Sequence, residues 1–210
     1  MNEAIISVIK DYLKKDNTDY ALMINGAWGS GKTVFIKNAL KSEIEKINCP
    51  KQKNDNEKKY QQLYVTLYGV SSIEEIKERI FYGVNPKYKW IEFVSSKVVS
   101  ATEAIPVAGS ALRNFFSLNG KEREAIRTAV ANYDDKVFVF DDLERVDKNK
   151  IDIQSVLGYI NSLAEHYHYK IVVVANDEVL GNDYKQFKEK TIRFSYNHCP
   201  NMTEIFDSVC

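Results

Sequence analysis

Eight residues, Gly26-Ala27-Trp28-Gly29-Ser30-Gly31-Lys32-Thr33, constrain this chain more than any other stretch. They fit G-x-x-x-x-G-K-[ST] at every specified position, a pattern that carries weight only between a strand and a helix. Both neighbours are predicted. Tyr20 to Asn25 reads as a buried strand, and Val34, Phe35, Ile36, Ala39 and Leu40 fall at helical spacing after Thr33. Gly26, Gly29 and Gly31 admit backbone angles that a side chain forbids. Successive amide N–H groups can then converge on phosphate oxygens, with the dipole of the following helix behind them. In such a loop Lys32 would reach the β- and γ-phosphates of a nucleotide, and the Thr33 hydroxyl would ligate Mg2+. Trp28 puts a bulky ring at a variable position of the loop. It reads as packing beside the loop rather than stacking on the base.

A second constellation supports the first. Val137-Phe138-Val139-Phe140 is a short apolar strand that ends in Asp141-Asp142. At the C-terminal end of a parallel strand, where ligands bind in open α/β sheets, Asp141 can hold the Mg2+ shell. Hydrolysis also needs a group to orient or deprotonate the attacking water. Asp142 is the first candidate and Glu144 the alternative with the longer reach. Either can instead pair with Arg145, which is itself a candidate to stabilise phosphate charge in a neighbouring subunit or to form a plain ion pair. Ile171 to Ala175 is another continuous apolar strand, and Asn176 at its tip is placed to sense a γ-phosphate or to cap the turn at Asp177 and Glu178.

The rest of the chain fills in an α/β pattern. Ala4, Ile5, Val8, Ile9 and Leu13 predict an amphipathic helix within residues 1–18. Residues 46–62 are rich in Lys, Asn and Gln and read as a solvated excursion. Leu63 to Tyr68 is predicted as a strand, with Ser71 or Ser72 capping a helix that starts near Ile73. Ile153, Val156, Leu157, Ile160 and Leu163 form a helical core stripe, and Thr191 to Phe194 reads as a last strand. Apolar strands alternating with helices predict a three-layer α/β/α sandwich on a mostly parallel sheet. Residues 84–132 read as a helical insertion between the two nucleotide motifs. Its most apolar part is broken by Lys97, Glu103 and Pro106, so a helical hairpin packed on the domain is favoured over membrane contact. Met202 to Cys210 reads as the start of a helix that needs something to pack against, which suggests a further helical region. His166 and His168 flank Tyr167 in a predicted surface turn.

Composition removes several function classes. Acidic and basic residues balance at 29 each, which argues against a dedicated nucleic-acid binder or a DNA-translocating motor. Cys49, Cys199 and Cys210 form no CxxC pair and read as free thiols in a reducing, cytoplasmic setting. The start Met1-Asn2-Glu3-Ala4 lacks the basic and apolar regions of a signal peptide. No arginine-bearing lid of the kind small-molecule kinases use is identifiable.

The loop with tryptophan two places after its first glycine resembles that of the KAP family of P-loop NTPases. Phe140-Asp141-Asp142-Leu143-Glu144-Arg145 is similar to that family's second motif, and Val173-Val174-Ala175-Asn176 to its sensor strand. The resemblance covers most of the chain. It implies an additional-strand core with sheet order 5-1-4-3-2, ATP in preference to GTP, Mg2+ as the metal, and a helical region that completes the site. It also implies a bacterial protein of the phage-exclusion or defence type. Two functions follow as expectations. One is a regulatory or assembly switch driven by ATP hydrolysis, with a protein partner or self-association. The other is a nucleotide-binding interaction module that turns over nothing by itself.

Overall fold

The computed structural model describes residues 2–50, 58–84 and 133–199. The chain divides into two compact units, Met1–Ile76 with Tyr133–Cys210, and Lys77–Asn132. The expected helices of 84–132 and of Met202 to Cys210 fall outside the described residues, save for Val84 at the end of a helix.

Five strands form the sheet of the first unit: β1 (Ala21–Asn25), β2 (Gln61–Thr66), β3 (Lys136–Asp141), β4 (Lys170–Ala175) and β5 (Ile192–Asn197). Every pairing is parallel, in the order β2-β3-β4-β1-β5. Read from the other edge this is 5-1-4-3-2, as the family resemblance implies. Parallel strands need crossover connections, and helices supply them: α1 (Asn2–Lys14) precedes β1, and α2 (Lys32–Phe35), α3 (Lys41–Ile44), α4 (Ile73–Val84), α5 (Ile153–Tyr167) and α6 (Gly181–Thr191) lie between strands. A widened π turn, Ile36–Leu40, joins α2 to α3.

The period-2 alternation of strands sorts their side chains between two cores. Leu22, Ile24, Val137, Val139, Val172 and Val174 pack on one face with Ile5, Ile9 and Leu13 of α1, and with Phe35, Ile36, Leu40 and Ile44. On the intervening positions Met23, Phe138, Phe140, Ile171 and Val173 are equally buried, and α5 packs against β1 and β4 with Val156, Leu157 and Ile160 buried. Tyr184 of α6 donates its hydroxyl to Met23 Sδ at 3.1 Å. The result is the three-layer sandwich, and both faces of the central strands are dry.

Local signals set the helix ends. Asp152 accepts from Ser155 N at 2.5 Å and caps α5, while His168 closes it in the left-handed region at φ 52. Of the two histidines expected in a surface turn, only His168 lies there; His166 is in the last turn of α5. Ser72 Oγ accepts from Glu75 N at 3.2 Å ahead of α4.

Three expectations need correction. The first is that residues 46–62 are a solvated excursion, whereas Cys49 and Tyr60 within that segment are buried among described residues that are otherwise mostly exposed. Asn48 and Lys59 form an antiparallel bridge, Cys49 N donates to Lys58 O at 2.8 Å, and Tyr60 is fully buried with its hydroxyl on Leu13 O. The second concerns β2, which starts and stops two residues earlier than predicted, because Leu67 and Tyr68 turn away with Gly69 at φ 67. The third concerns β5, which runs on past Phe194 to Asn197, through exposed Ser195 and half-buried Tyr196. Among the described residues, no helix is long and apolar enough to cross a membrane.

Candidate nucleotide site

The phosphate loop leaves the end of β1 and enters α2 as the motif requires. Gly29 and Gly31 sit at φ 73 and φ 83, in the left-handed region that glycine alone enters without strain. Gly26 is needed for a different reason. A Cβ there would lie 3.1 Å from Ser30 Oγ and 3.3 Å from the Lys32 side chain, which fills the space over the loop.

Lys32 is nearly buried, and its ammonium donates to Gly26 O and, at 2.9 Å, to Ala27 O. Desolvation holds its pKa below 10.5, against the pull of Glu144, Asp141 and Asp142. Three carboxylates therefore act electrostatically on the one lysine of the loop.

Thr33, at the start of α2, reaches across the tip of β4 to β3. Its Oγ1 donates to Asp141 Oδ2 at 2.9 Å. Asp141 is buried, its Oδ1 accepts the Asp142 N–H at 2.9 Å, and its Oδ2 also accepts the Tyr64 hydroxyl at 2.7 Å. Burial raises the Tyr64 pKa, with the neighbouring carboxylate adding to the rise, so the phenol stays a donor. Among the described residues no group of three or more His, Cys, Asp or Glu could hold a metal alone. A threonine hydroxyl beside one carboxylate is still the right donor set for Mg2+, which takes one or two protein ligands and its remaining oxygens from phosphate and water.

After β3 the chain turns sharply. Asp142 is non-glycine at φ 64, and a 3-10 turn, Leu143–Arg145, follows. Asp142 Oδ1 lies 3.3 Å from Arg145 Nε, and Oδ2 accepts from Thr66 Oγ1 at 3.4 Å. Desolvation and the adjacent Asp141 both raise the Asp142 pKa. The turn carries Glu144 back over the loop, where its Oε1 accepts the Trp28 indole N–H at 2.9 Å. Glu144 Oε2 is buried with no partner among the described residues. Arg145 lies between two exposed rings, 5.5 Å from the centroid of Trp28 and 5.8 Å from that of Tyr68. Trp28 thus lies beside the loop and is tied to Glu144.

Asn176 is buried at the end of β4, between β1 and β3, and its Oδ1 accepts from Glu178 N at 3.2 Å. The cap is present, and Asn176 Nδ2 is the group a phosphate contact would use. The structure brings Lys32, Thr33, Asp141, Asp142, Glu144 and Arg145 to one edge of the sheet. Sequence reasoning missed Tyr64, and also His198, whose Nε2 is 2.9 Å from Ser30 O. The only sequence signal for Tyr64 was its place on the strand beside β3.

The comparisons with known proteins bear on the family and the fold. No curated protein matches the chain. Seventeen chains of solved structure are similar. One is Cdc6p from Pyrobaculum aerophilum, at 15% identity and a TM-score of 0.51, covering 99% of this chain and 46% of that one. This chain therefore spans less than half the length of that protein, and the likeness is one of fold. A model of the KAP family P-loop domain matches residues 2–197. With a five-stranded parallel sheet, a complete phosphate loop and a family match over most of its length, this chain belongs to the KAP family of P-loop NTPases.

Proposed function

We propose that this domain binds ATP with Mg2+ and hydrolyses it, and that the bound nucleotide acts as a regulatory or assembly switch. The observation that carries the reading is the 2.9 Å contact between Thr33 Oγ1 and Asp141 Oδ2, at the mouth of a loop whose lysine is already inside it. Loop amides hold the phosphates, Lys32 leaves the loop carbonyls for the β- and γ-phosphate oxygens, and Thr33 and Asp141 hold the metal. When bound, Mg2+ offsets charge on the β- and γ-phosphates.

In the reaction, water oxygen bonds to the γ-phosphorus, the bond from that phosphorus to the ADP oxygen breaks, and a proton leaves the water. Asp142 directly follows the metal residue, but both of its oxygens have contacts, with Arg145 and with Thr66. Glu144 keeps one buried oxygen without a described partner, while the Trp28 indole fixes the other. This supports Glu144 as the proton acceptor and Asp142 as the holder of Arg145. Asn176 then reports loss of the γ-phosphate through its amide nitrogen.

The test is phosphate release and ATP binding measured on the same samples of the purified chain, beside Glu144→Gln and Asp142→Asn. Removing a general base costs about 10²–10⁴-fold in turnover. Glu144→Gln is expected to lose at least that lower figure while ATP still binds. An Asp142→Asn loss of that size beside an active Glu144→Gln would transfer the role to Asp142. Binding without release in the unsubstituted chain would favour the interaction-module reading. A role in defence rests on the family resemblance, and a phage-plating assay with Lys32→Ala as control tests it.

Tyr64 gives a separate prediction. Its hydroxyl orients Asp141 from outside the metal shell, and such partners are typically worth about 10–100-fold in metal affinity or activity. Tyr64→Phe should raise the Mg2+ concentration needed for half-maximal turnover by about tenfold. An unchanged Mg2+ titration would remove Tyr64 from the site.

A further inference from the structure

We infer that His198, the first residue after β5, is a positioning residue that shapes the phosphate loop from behind. The inference rests on the nucleotide-site reading above. His198 is buried at 6% exposure, and it contacts the loop and its flanks at three points. Its backbone N–H donates to Asn25 O at 2.7 Å, just ahead of the loop. Its ring Nε2 lies 2.9 Å from Ser30 O, inside the loop. The ring packs on Phe35 in α2, with centroids 5.1 Å apart. Its own carbonyl oxygen is 3.5 Å from the position a Gly26 Cβ would take.

The Ser30 contact matters because of peptide geometry. A carbonyl oxygen only accepts, so the contact requires a proton on Nε2. In a planar trans peptide the C=O of one residue and the N–H of the next point in opposite directions. Holding the Ser30 carbonyl outward on His198 therefore turns the Gly31 N–H inward, to the side where phosphate binds. Gly31 is at φ 83, and glycine is the residue whose backbone is least able to hold one orientation by itself. The imidazole supplies the restraint that glycine lacks. The Asn25 contact works in the same way one peptide before the motif. With the Asn25 carbonyl directed to β5, Gly26 N–H points to β4, where it donates to Ala175 O at 3.2 Å. Each end of the loop is thus set by one residue that lies outside every nucleotide motif.

The experiment compares His198→Phe with His198→Gln by calorimetric titration of ATP and of ADP, and by thermal unfolding without nucleotide. Phenylalanine keeps a ring against Phe35 and the backbone N–H, and removes the donor to Ser30. Glutamine restores a side-chain N–H at similar reach. A lost hydrogen bond is worth about three- to tenfold in a binding constant. His198→Phe is expected to weaken ATP and ADP alike by that factor. His198→Gln should bind within about twofold of the unsubstituted chain, and both variants should unfold within about 2 °C of it. Unchanged binding in His198→Phe, or equal loss in both variants together with a lowered midpoint, overturns the proposal. An unsubstituted chain that binds neither nucleotide overturns the nucleotide-site reading itself, a different result from either of these. Should His198→Phe fail to fold, ¹⁵N NMR of the imidazole in the unsubstituted chain decides. A proton on Nε2 and a shift on adding ADP are expected, and a ring protonated only on Nδ1 counts against it.

Discussion

Lys32→Ala is expected to weaken ATP binding by about 30-fold or more while leaving the nucleotide-free fold as stable as before or slightly more so. The affinity loss follows from removing the cationic partner of a nearly buried phosphate contact, worth about 2–5 kcal/mol. The stability half follows from the same burial. Without nucleotide, the ammonium is desolvated among loop carbonyls, and its pKa lies below the ordinary 10.5. The unfolded chain then holds this proton more tightly than the folded one. Through Lys32, folding is disfavoured at neutral pH and gains as pH rises from the depressed folded value towards 10.5. Alanine removes that dependence. Calorimetric ATP titration and a thermal melt at two pH values read both halves. A variant that binds ATP within tenfold of the original, or one that melts far below it, would show that Lys32 serves the fold rather than the ligand.

The second large effect is at the opposite edge of the sheet. Lys170 opens β4 and is only 2% exposed. Its ammonium donates to Tyr12 O at 3.2 Å, to Lys15 O at 2.5 Å and to Thr18 Oγ1 at 3.3 Å. Tyr12 belongs to the last turn of α1, and its carbonyl also accepts the Lys15 N–H at a long 3.4 Å. A cation at a helix C-terminus also meets the favourable end of the dipole. Lys170 is thus the cap of α1, delivered from a strand about 155 residues away. Lys170→Met keeps the apolar stem and leaves those carbonyls buried and without this donor. The expected cost is about 3 kcal/mol, or roughly 6–12 °C in the unfolding midpoint for a domain of this size. ATP affinity, measured well below the transition, should not change, since the proposed nucleotide site is at the other end of the strands. A midpoint within 2 °C of the original would refute the capping role.

How legible each part was in the sequence depended on how local its cause is. The phosphate loop, β3 and β4 were readable because their signals lie in consecutive residues: a glycine pattern, and runs such as Val137 to Phe140. The sheet order followed from the family resemblance and not from periodicity. Tyr64, Lys170 and His198 were not readable, because their partners lie 77, 155 and 168 residues away and only the folded chain joins them. Lys170 was masked further by its type, since lysine is almost never fully buried unless paired. Tyr60 hid in a polar neighbourhood that in the fold is an antiparallel bridge. β5 lies at the sheet edge, where Arg193, Phe194 and Ser195 are exposed and composition says little about strand length. The proposed preference for Glu144 over Asp142 rests in part on the indole contact from Trp28, which spacing along the chain does not predict.

The backbone at Asp142 restricts what evolution can do with this site. At φ 64 the position admits glycine, asparagine and aspartate with little strain and penalises other residues. Aspartate and asparagine differ there by a single-nucleotide codon change and by one charge, with no demand on the fold. Among relatives, lineages that keep the turn but discard the charge should therefore carry asparagine or glycine at this place, and alanine or valine should be rare. A reader of new sequences could then sort relatives that retain the Asp142–Arg145 pair from those that have given it up by inspecting one codon.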